Sequence, residues 1–182
     1  SIKPNFSILC FNSNQLVGNG LTIPSGPLRE PLSAILRANC IVINGNKTEQ
    51  TQAFEEKINK IFKNKKIYFF YSKYKIKNIE KFKNKEIIAF AGIGNPINFF
   101  ELLIESQINA IEAIKFTDHH KYSEKELENL IDKSNINNAI LLTTEKDYFR
   151  IPENFKKNIK YLKIDVEIEN QNEFIDEIKK II

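Results

Sequence analysis

The strongest constraint on this chain is a set of short runs that are apolar on both faces. Ile87-Ile88-Ala89-Phe90-Ala91 and Ala139-Ile140-Leu141-Leu142-Thr143 show none of the apolar–polar alternation of a half-exposed strand. A strand of that kind has to be covered on both sides, which is the condition of a parallel sheet lying between helices. Amphipathic segments at helical spacing separate these runs. The pattern predicts strands at 7–11, 40–44, 66–71, 87–91, 110–116, 139–142 and 161–166, and helices at 32–38, 51–62, 96–106, 123–133, 145–149 and 173–181. The expected fold class is α/β, a three-layer α/β/α arrangement around a mostly parallel sheet. With 182 residues, 42% of them apolar, the chain is long enough for one sizeable core or for two smaller lobes. Residues 74–85 mix charged and apolar side chains without helical spacing and read as an exposed ribbon, so the stretch 72–86 is the expected division.

Composition then acts as a filter. The chain holds 30 Ile, 24 Lys and 22 Asn against 3 Arg, 2 His and 6 Gly. Where a sequence drifts toward Ile, Lys and Asn, the positions that keep Gly, Arg or His are the ones to question. Met is absent even at position 1. A translated chain starts with Met, so the expectation is that an N-terminal piece was removed or that these residues are part of something longer.

The net charge of +4 is unevenly spread. Residues 57–85 hold 11 Lys against the single acid Glu80, a balance of +10 that leaves −6 for the remainder. Phe62, Tyr68, Phe69, Phe70, Tyr71, Tyr74 and Phe82 are interleaved with those lysines. Such a segment suits a solvated face or an anionic membrane surface, and nucleic acid is not the expected partner. Cys10 and Cys40 lie in apolar runs and are expected to be reduced and buried. No apolar stretch approaches the ~20 residues that span a bilayer, and no signal-peptide pattern opens the chain. A cytoplasmic protein, soluble or peripheral on a membrane, is the expectation.

The scarce residues gather in four blocks. Gly18-Asn19-Gly20-Leu21-Thr22-Ile23-Pro24-Ser25-Gly26-Pro27-Leu28-Arg29-Glu30-Pro31 is an irregular loop after a strand, where open α/β sheets bind ligands. Arg29 offers a planar fork suited to phosphate, and Glu30 can hold a divalent ion, orient that Arg or cap the next helix. Phe90-Ala91-Gly92-Ile93-Gly94-Asn95-Pro96 is a strand, a glycine turn and a helix start with Pro at its first position. Phe116-Thr117-Asp118-His119-His120-Lys121-Tyr122 ends a strand and precedes a helix that Ser123 and Glu126 cap. There an imidazole can shuttle a proton while the Asp118 carboxylate orients it. Leu142-Thr143-Thr144-Glu145-Lys146-Asp147 repeats the theme with Thr144 as N-cap, and Lys146 and Arg150, one helical turn apart, either face an anionic substrate together or serve the cap. The phosphate-loop pattern GxxxxGK[ST] occurs nowhere in the 182 residues.

Taken in this order, GNGLTIPSGPLREP, FAGIGNPINFF, FTDHHKY and LLTTEKDYFR resemble the tetraacyldisaccharide 4'-kinase family, in its C-terminal portion. The resemblance implies ATP- and Mg²⁺-dependent phosphorylation of the 4'-hydroxyl of a tetraacyldisaccharide 1-phosphate in lipid A biosynthesis, at the cytoplasmic face of the inner membrane. It implies two α/β/α lobes joined by a two-stranded hinge. Residues 1–71 would be a remnant of the N-terminal kinase lobe, 72–86 the hinge and 87–182 the C-terminal lobe. It implies Asp118 and His119 in the catalytic cleft, Glu30 near the metal ion, and Arg29, with Lys146 and Arg150, near phosphate or substrate. The family's phosphate loop and Asp-Asp-Gly-Phe-Gln motif are missing from this sequence. The chain alone is therefore expected to be inactive, and a separate N-terminal polypeptide is one source of the missing lobe. Two alternatives stand beside this reading: a metal-dependent phosphoesterase of the Asp-His-His type, and a non-catalytic lipid- or membrane-surface binding fragment.

Overall fold

The structure, a computed structural model, describes residues 5–180. Residues 1–4, at the start of the expected first lobe, and 181–182, which include the last position of the helix expected at 173–181, lie outside the described residues. In chain order the elements are β1 (Ile8–Asn12), β2 (Cys40–Asn44), α1 (Glu49–Ile61), β3 (Tyr68–Ile76), β4 (Ile87–Ala91), α2 (Pro96–Glu105), β5 (Ala110–Lys115), α3 (Glu124–Ile136), β6 (Ile140–Thr144), α4 (Glu145–Tyr148), α5 (Glu153–Lys156), β7 (Ile159–Leu162), β8 (Ile164–Ile168) and α6 (Gln171–Lys179). Leu32–Arg37 and Ile79–Lys81 are 3-10 turns. The strands form two four-stranded sheets, ordered β1-β2-β3-β8 and β5-β4-β6-β7. The pairs β1–β2, β2–β3, β4–β5, β4–β6 and β6–β7 are all parallel, so the α/β class read from the doubly apolar runs is what the chain adopts.

The chain divides into two compact units, one made of residues up to 73 together with those from 166 onward, the other of residues 74–165. Each has its own sheet and core.

In the second unit β4 explains why its sequence carries no polar face. Ile87, Ala89 and Ala91 pack with Phe99 and Leu103 of α2 on one side of the sheet. Ile88 and Phe90 pack with Leu127 and Leu130 of α3 on the other. The expected exposed ribbon differs from this picture. Its first half extends β3 to Ile76, and Phe82, 2% exposed, is buried in the same core as Ile87 and Phe99. A single aromatic among lysines gives no periodic signal, so only packing reveals it.

The strand expected at 161–166 is two strands belonging to different sheets. Asn78 marks the break: its Nδ2 donates to the Tyr161 carbonyl at 3.0 Å and its Oδ1 accepts the Lys163 amide at 2.9 Å, which holds the end of β7. The continuation, β8, lies beside β3. The Glu169 amide donates to the Tyr71 carbonyl and the Lys77 amide to the Lys163 carbonyl, a pattern that runs the two strands antiparallel.

In the first unit Ile41 and Ile43 pack against Phe54 and Ile58 of α1, whose start is fixed by a Thr48–Thr51 capping box. Cys40 and Val42, on the opposite face, pack against Phe70 and Phe174. The Phe70 and Phe174 rings meet edge to face with centroids 5.1 Å apart. That contact is the physical reason why residues from 166 onward belong with this unit and not with the lobe expected at 87–182. Cys40 is buried, and burial first, then the neighbouring Cys10, pushes its thiol up to about 11. Cys10, expected to be buried, is exposed, because β1 is the edge strand of its sheet. Both cysteines are free thiols.

Candidate active site

Three loops of the second unit leave the carboxyl ends of parallel strands, where ligands bind in open α/β sheets. The first follows β4 through Gly92 and Gly94 to Asn95, the N-cap of α2, with Pro96 at the helix start. The second follows β5 and carries residues 116–122. The third is short, because Thr144 both ends β6 and caps α4, its hydroxyl accepting from the Asp147 amide at 3.1 Å.

Within the second loop the two adjacent histidines differ. His120 is held from several directions: Nε2 lies 3.1 Å from Glu126 Oε1, Nδ1 lies 3.4 Å from Thr117 Oγ1, and the ring packs 4.7 Å from Phe116 and 5.0 Å from Tyr122 between centroids. Glu126 also accepts from the Ser123 amide and hydroxyl. Those Ser123 bonds, followed by His120, hold its carboxyl down to about 2. His119 instead has 70% of its side chain exposed. Its Nε2 lies 3.9 Å from Asp118 Oδ2, close enough for electrostatic coupling and too long for a hydrogen bond. Its backbone is left-handed, with φ at 57°, which turns the side chain out of the path that His120 follows inward.

Beneath the loop sits an ion pair with no exposed carboxylate. The Asp147 side chain is 0% exposed and lies 2.5 Å from Arg150 Nη2. Its Oδ2 accepts from the Gly92 amide at 3.1 Å and from the Thr144 hydroxyl at 2.7 Å. Arg150 Nη2 also donates to the Gly92 carbonyl at 3.0 Å, and Nε donates to the Lys146 carbonyl at 3.3 Å. Arg150 Nη1 and the Tyr122 hydroxyl are buried without a hydrogen-bond partner among the described residues. Burial and the Asp147 carboxylate push the Tyr122 phenol well above its ordinary range. Lys146 is exposed and has no side-chain partner among the described residues.

Arg29 and Glu30 are in the first unit, where they line a cavity of about 390 Å³ together with Cys10, Gln15, Leu16 and Ile35. Glu30 is ion-paired with Arg37, a partner that sequence reasoning passed over although it lies two turns along in the same short segment. Arg29 has no such partner among the described residues. The Glu30 carboxylate is the one acidic group in that cavity wall among the described residues, and magnesium is commonly held by one or two carboxylates with waters and substrate phosphates completing its shell. No group of three His, Cys, Asp or Glu that could hold a metal occurs among the described residues, so the donor set that an Asp-His-His phosphoesterase needs is not assembled there. No helix among the described residues is long and apolar enough to cross a membrane. Sequence reasoning also missed the burial of Asp147, for which the Thr144-x-x-Asp147 spacing was the available signal.

The fold and this loop cluster define an α/β protein of the kind that binds ligands at the carboxyl edge of a parallel sheet. The family model described as tetraacyldisaccharide-1-P 4'-kinase matches residues 1–182. A tetraacyldisaccharide 4'-kinase of Pelagibacter ubique is 36% identical over 183 residues, covering 100% of this chain and 57% of that protein. The protein of the same name from Rickettsia typhi is 34% identical over 173 residues, covering 94% of this chain and 50% of its own length. Among solved structures, LpxK of Aquifex aeolicus in complex with ATP superposes with a TM-score of 0.63 at 25% identity, covering 98% of this chain and 53% of that one. This chain belongs to the tetraacyldisaccharide 4'-kinase family. It spans about half the length of the relatives it matches.

Proposed function

We propose that this chain supplies the acceptor-activating part of an ATP-dependent kinase that phosphorylates the 4'-hydroxyl of a tetraacyldisaccharide 1-phosphate in lipid A biosynthesis. The observation that carries the reading is the Asp118–His119 pair, presented on an exposed loop at the carboxyl end of β5 while its neighbour His120 is tied down. A neutral His119 imidazole takes the proton of the attacking hydroxyl, and the Asp118 carboxylate favours the imidazolium that forms. Phosphoryl transfer otherwise depends on positioning and charge neutralisation. Arg29 and Lys146, exposed cations without acidic partners among the described residues, are the groups we assign to phosphate. ATP is bound mainly by a phosphate loop that these 182 residues do not contain, so a second polypeptide segment has to provide it together with the Mg²⁺ ligands. The acceptor in this reading is a lipid, and we assign the reaction to the cytoplasmic face of the inner membrane. Lys81, Lys85, Lys160 and Lys163, lining a cleft of about 690 Å³ with no acidic side chain in its wall, support contact with an anionic surface there.

The test is a radiolabelled ATP assay with the lipid disaccharide. The 182 residues alone give no phosphorylation. Co-expression with a polypeptide that carries the phosphate loop restores it, and His119→Ala in that complex lowers kcat by about 10²–10⁴-fold, the range for loss of a general base. Robust turnover by the chain alone, or an active His119→Ala complex, overturns the reading.

A further inference from the structure

The same loop cluster contains a device that the proposed chemistry does not use directly. Gly92 is gripped through both of its main-chain polar groups: Asp147 accepts its amide hydrogen while Arg150 donates to its carbonyl oxygen, and the two side chains are paired with each other. The same carbonyl oxygen also accepts the backbone amide of His119 at 3.1 Å. The position of His119 along the loop is therefore referred, through one oxygen atom, to a buried ion pair on α4 and the turn after it.

We propose that Asp147 and Arg150 are positioning residues for the Asp118–His119 pair, acting through Gly92. Three further observations support this. Asp147 is wholly buried and so is not placed to meet substrate; besides Gly92 and Arg150 its neighbours are Thr144, the cap of its own helix, and Tyr122 of the loop being positioned. Gly92 leaves no room for slack, because a Cβ there would lie 2.9 Å from the Tyr122 hydroxyl, 3.0 Å from His120 Cβ and 3.2 Å from the Thr117 carbonyl, all within the loop being positioned. Arg150 spends Nη2 twice and Nε once on backbone carbonyls and Asp147, which leaves only the buried Nη1 without a partner among the described residues. A buried charge pair of this kind is poor value as stabilisation, since apolar residues of equal volume would serve a core as well. Its geometric specificity, a carboxylate and a guanidinium that together hold the amide and the carbonyl of one residue, is what apolar residues cannot reproduce. The inference rests on reading Asp118 and His119 as catalytic, but its test requires no catalysis.

The test is backbone amide hydrogen exchange, followed by NMR on the isotopically labelled 182-residue chain. In Arg150→Ala the His119 amide exchanges about tenfold faster or more, the loss expected for one structural hydrogen bond, while the amides of Leu141 and Leu142 in β6 keep their protection. Arg150→Lys, which retains the charge opposite Asp147 with a single donor head, gives an intermediate rate at His119. Asp147→Asn shows the same local acceleration at Gly92 and His119; if that variant fails to fold, the two Arg150 variants decide the matter. Unchanged exchange at His119 in Arg150→Ala, or uniform acceleration throughout β4, β5 and β6, overturns the proposal. A titration with inorganic phosphate runs alongside: the Arg150 Nε–Hε signal stays in place, whereas a saturable shift of that signal would assign Arg150 to phosphate binding and overturn it as well.

Discussion

His120 Nε2 lies 3.1 Å from Glu126 Oε1, while the His119 imidazole one residue earlier stands 70% exposed. Adjacent identical residues thus divide into one that is held in place and one that stands free in solvent. Replacing His120 by Ala leaves Glu126 short of a partner and opens space beside Phe116 and Tyr122, so it should cost about 1–3 kcal/mol in urea denaturation. His119→Ala should stay within about 0.5 kcal/mol of the parent, as expected of an exposed side chain. Equal losses for the two would contradict the division.

The capping box of α3 carries a pH signature. The Glu126 carboxyl is held at about 2, below its ordinary 4.5, by Ser123 first and His120 after it. A depressed folded-state value means that the unfolded chain binds this proton more readily, so the stabilisation is present above about 4.5 and is lost as pH falls toward 2. Glu126→Gln should keep much of the cap and flatten the fall in unfolding free energy over that window. Denaturation series at half-unit steps between pH 5 and pH 2, run on both proteins, make the comparison, and superimposable slopes would refute it.

Glycines 92 and 94 should respond differently to the same methyl group. Gly92→Ala places its Cβ 2.9 Å from the Tyr122 hydroxyl and 3.0 Å from His120 Cβ, an overpacking worth about 1–3 kcal/mol. Gly94→Ala meets Asp118 Oδ2 at 3.4 Å, an ordinary contact with an exposed carboxylate, and should be nearly neutral. Thermal melts of the two variants separate these outcomes.

Phe82 is the buried aromatic of the segment expected to be an exposed ribbon, and the second unit's stability depends on it. At 2% exposure beside Ile87, Phe99 and Leu103, its truncation to Ala should cost about 3–5 kcal/mol. Tyr74→Ala, at a site 43% exposed, should cost far less.

The cysteines should separate chemically. Cys10 is exposed and should be alkylated in the native protein, whereas Cys40, buried and pushed up to about 11, should react only after unfolding. Mass spectrometry of native and urea-treated protein reads this directly.

How much was legible in the sequence follows from which forces are local. Strands β2 and β4 were readable to the residue, because burial on both faces leaves an uninterrupted apolar run. The Ser123–Glu126 cap was readable because its partners are three residues apart. The ion pair on Gly92 was not, since Asp147 and Gly92 are distant in sequence and a buried aspartate looks like any capping one. Nor was the break at Lys163, where two short strands abut and only the side chain of Asn78 separates them. Asp118, Gly92 and Arg150 all stood out as scarce or clustered residues, but whether an arginine turns inward or outward depends on tertiary neighbours that composition does not contain.

The chain passes from its first unit to its second along β3 and returns along β8, strands that lie side by side. Topologically the second unit is an insertion. Its point of departure and its point of return are neighbours, so residues 74–165 could be excised, exchanged for those of a relative, or circularly permuted without spanning a gap. The Asp118–His119 loop, its glycine turn and the ion pair beneath them therefore travel together on one insertion, entered along one strand and left along its neighbour.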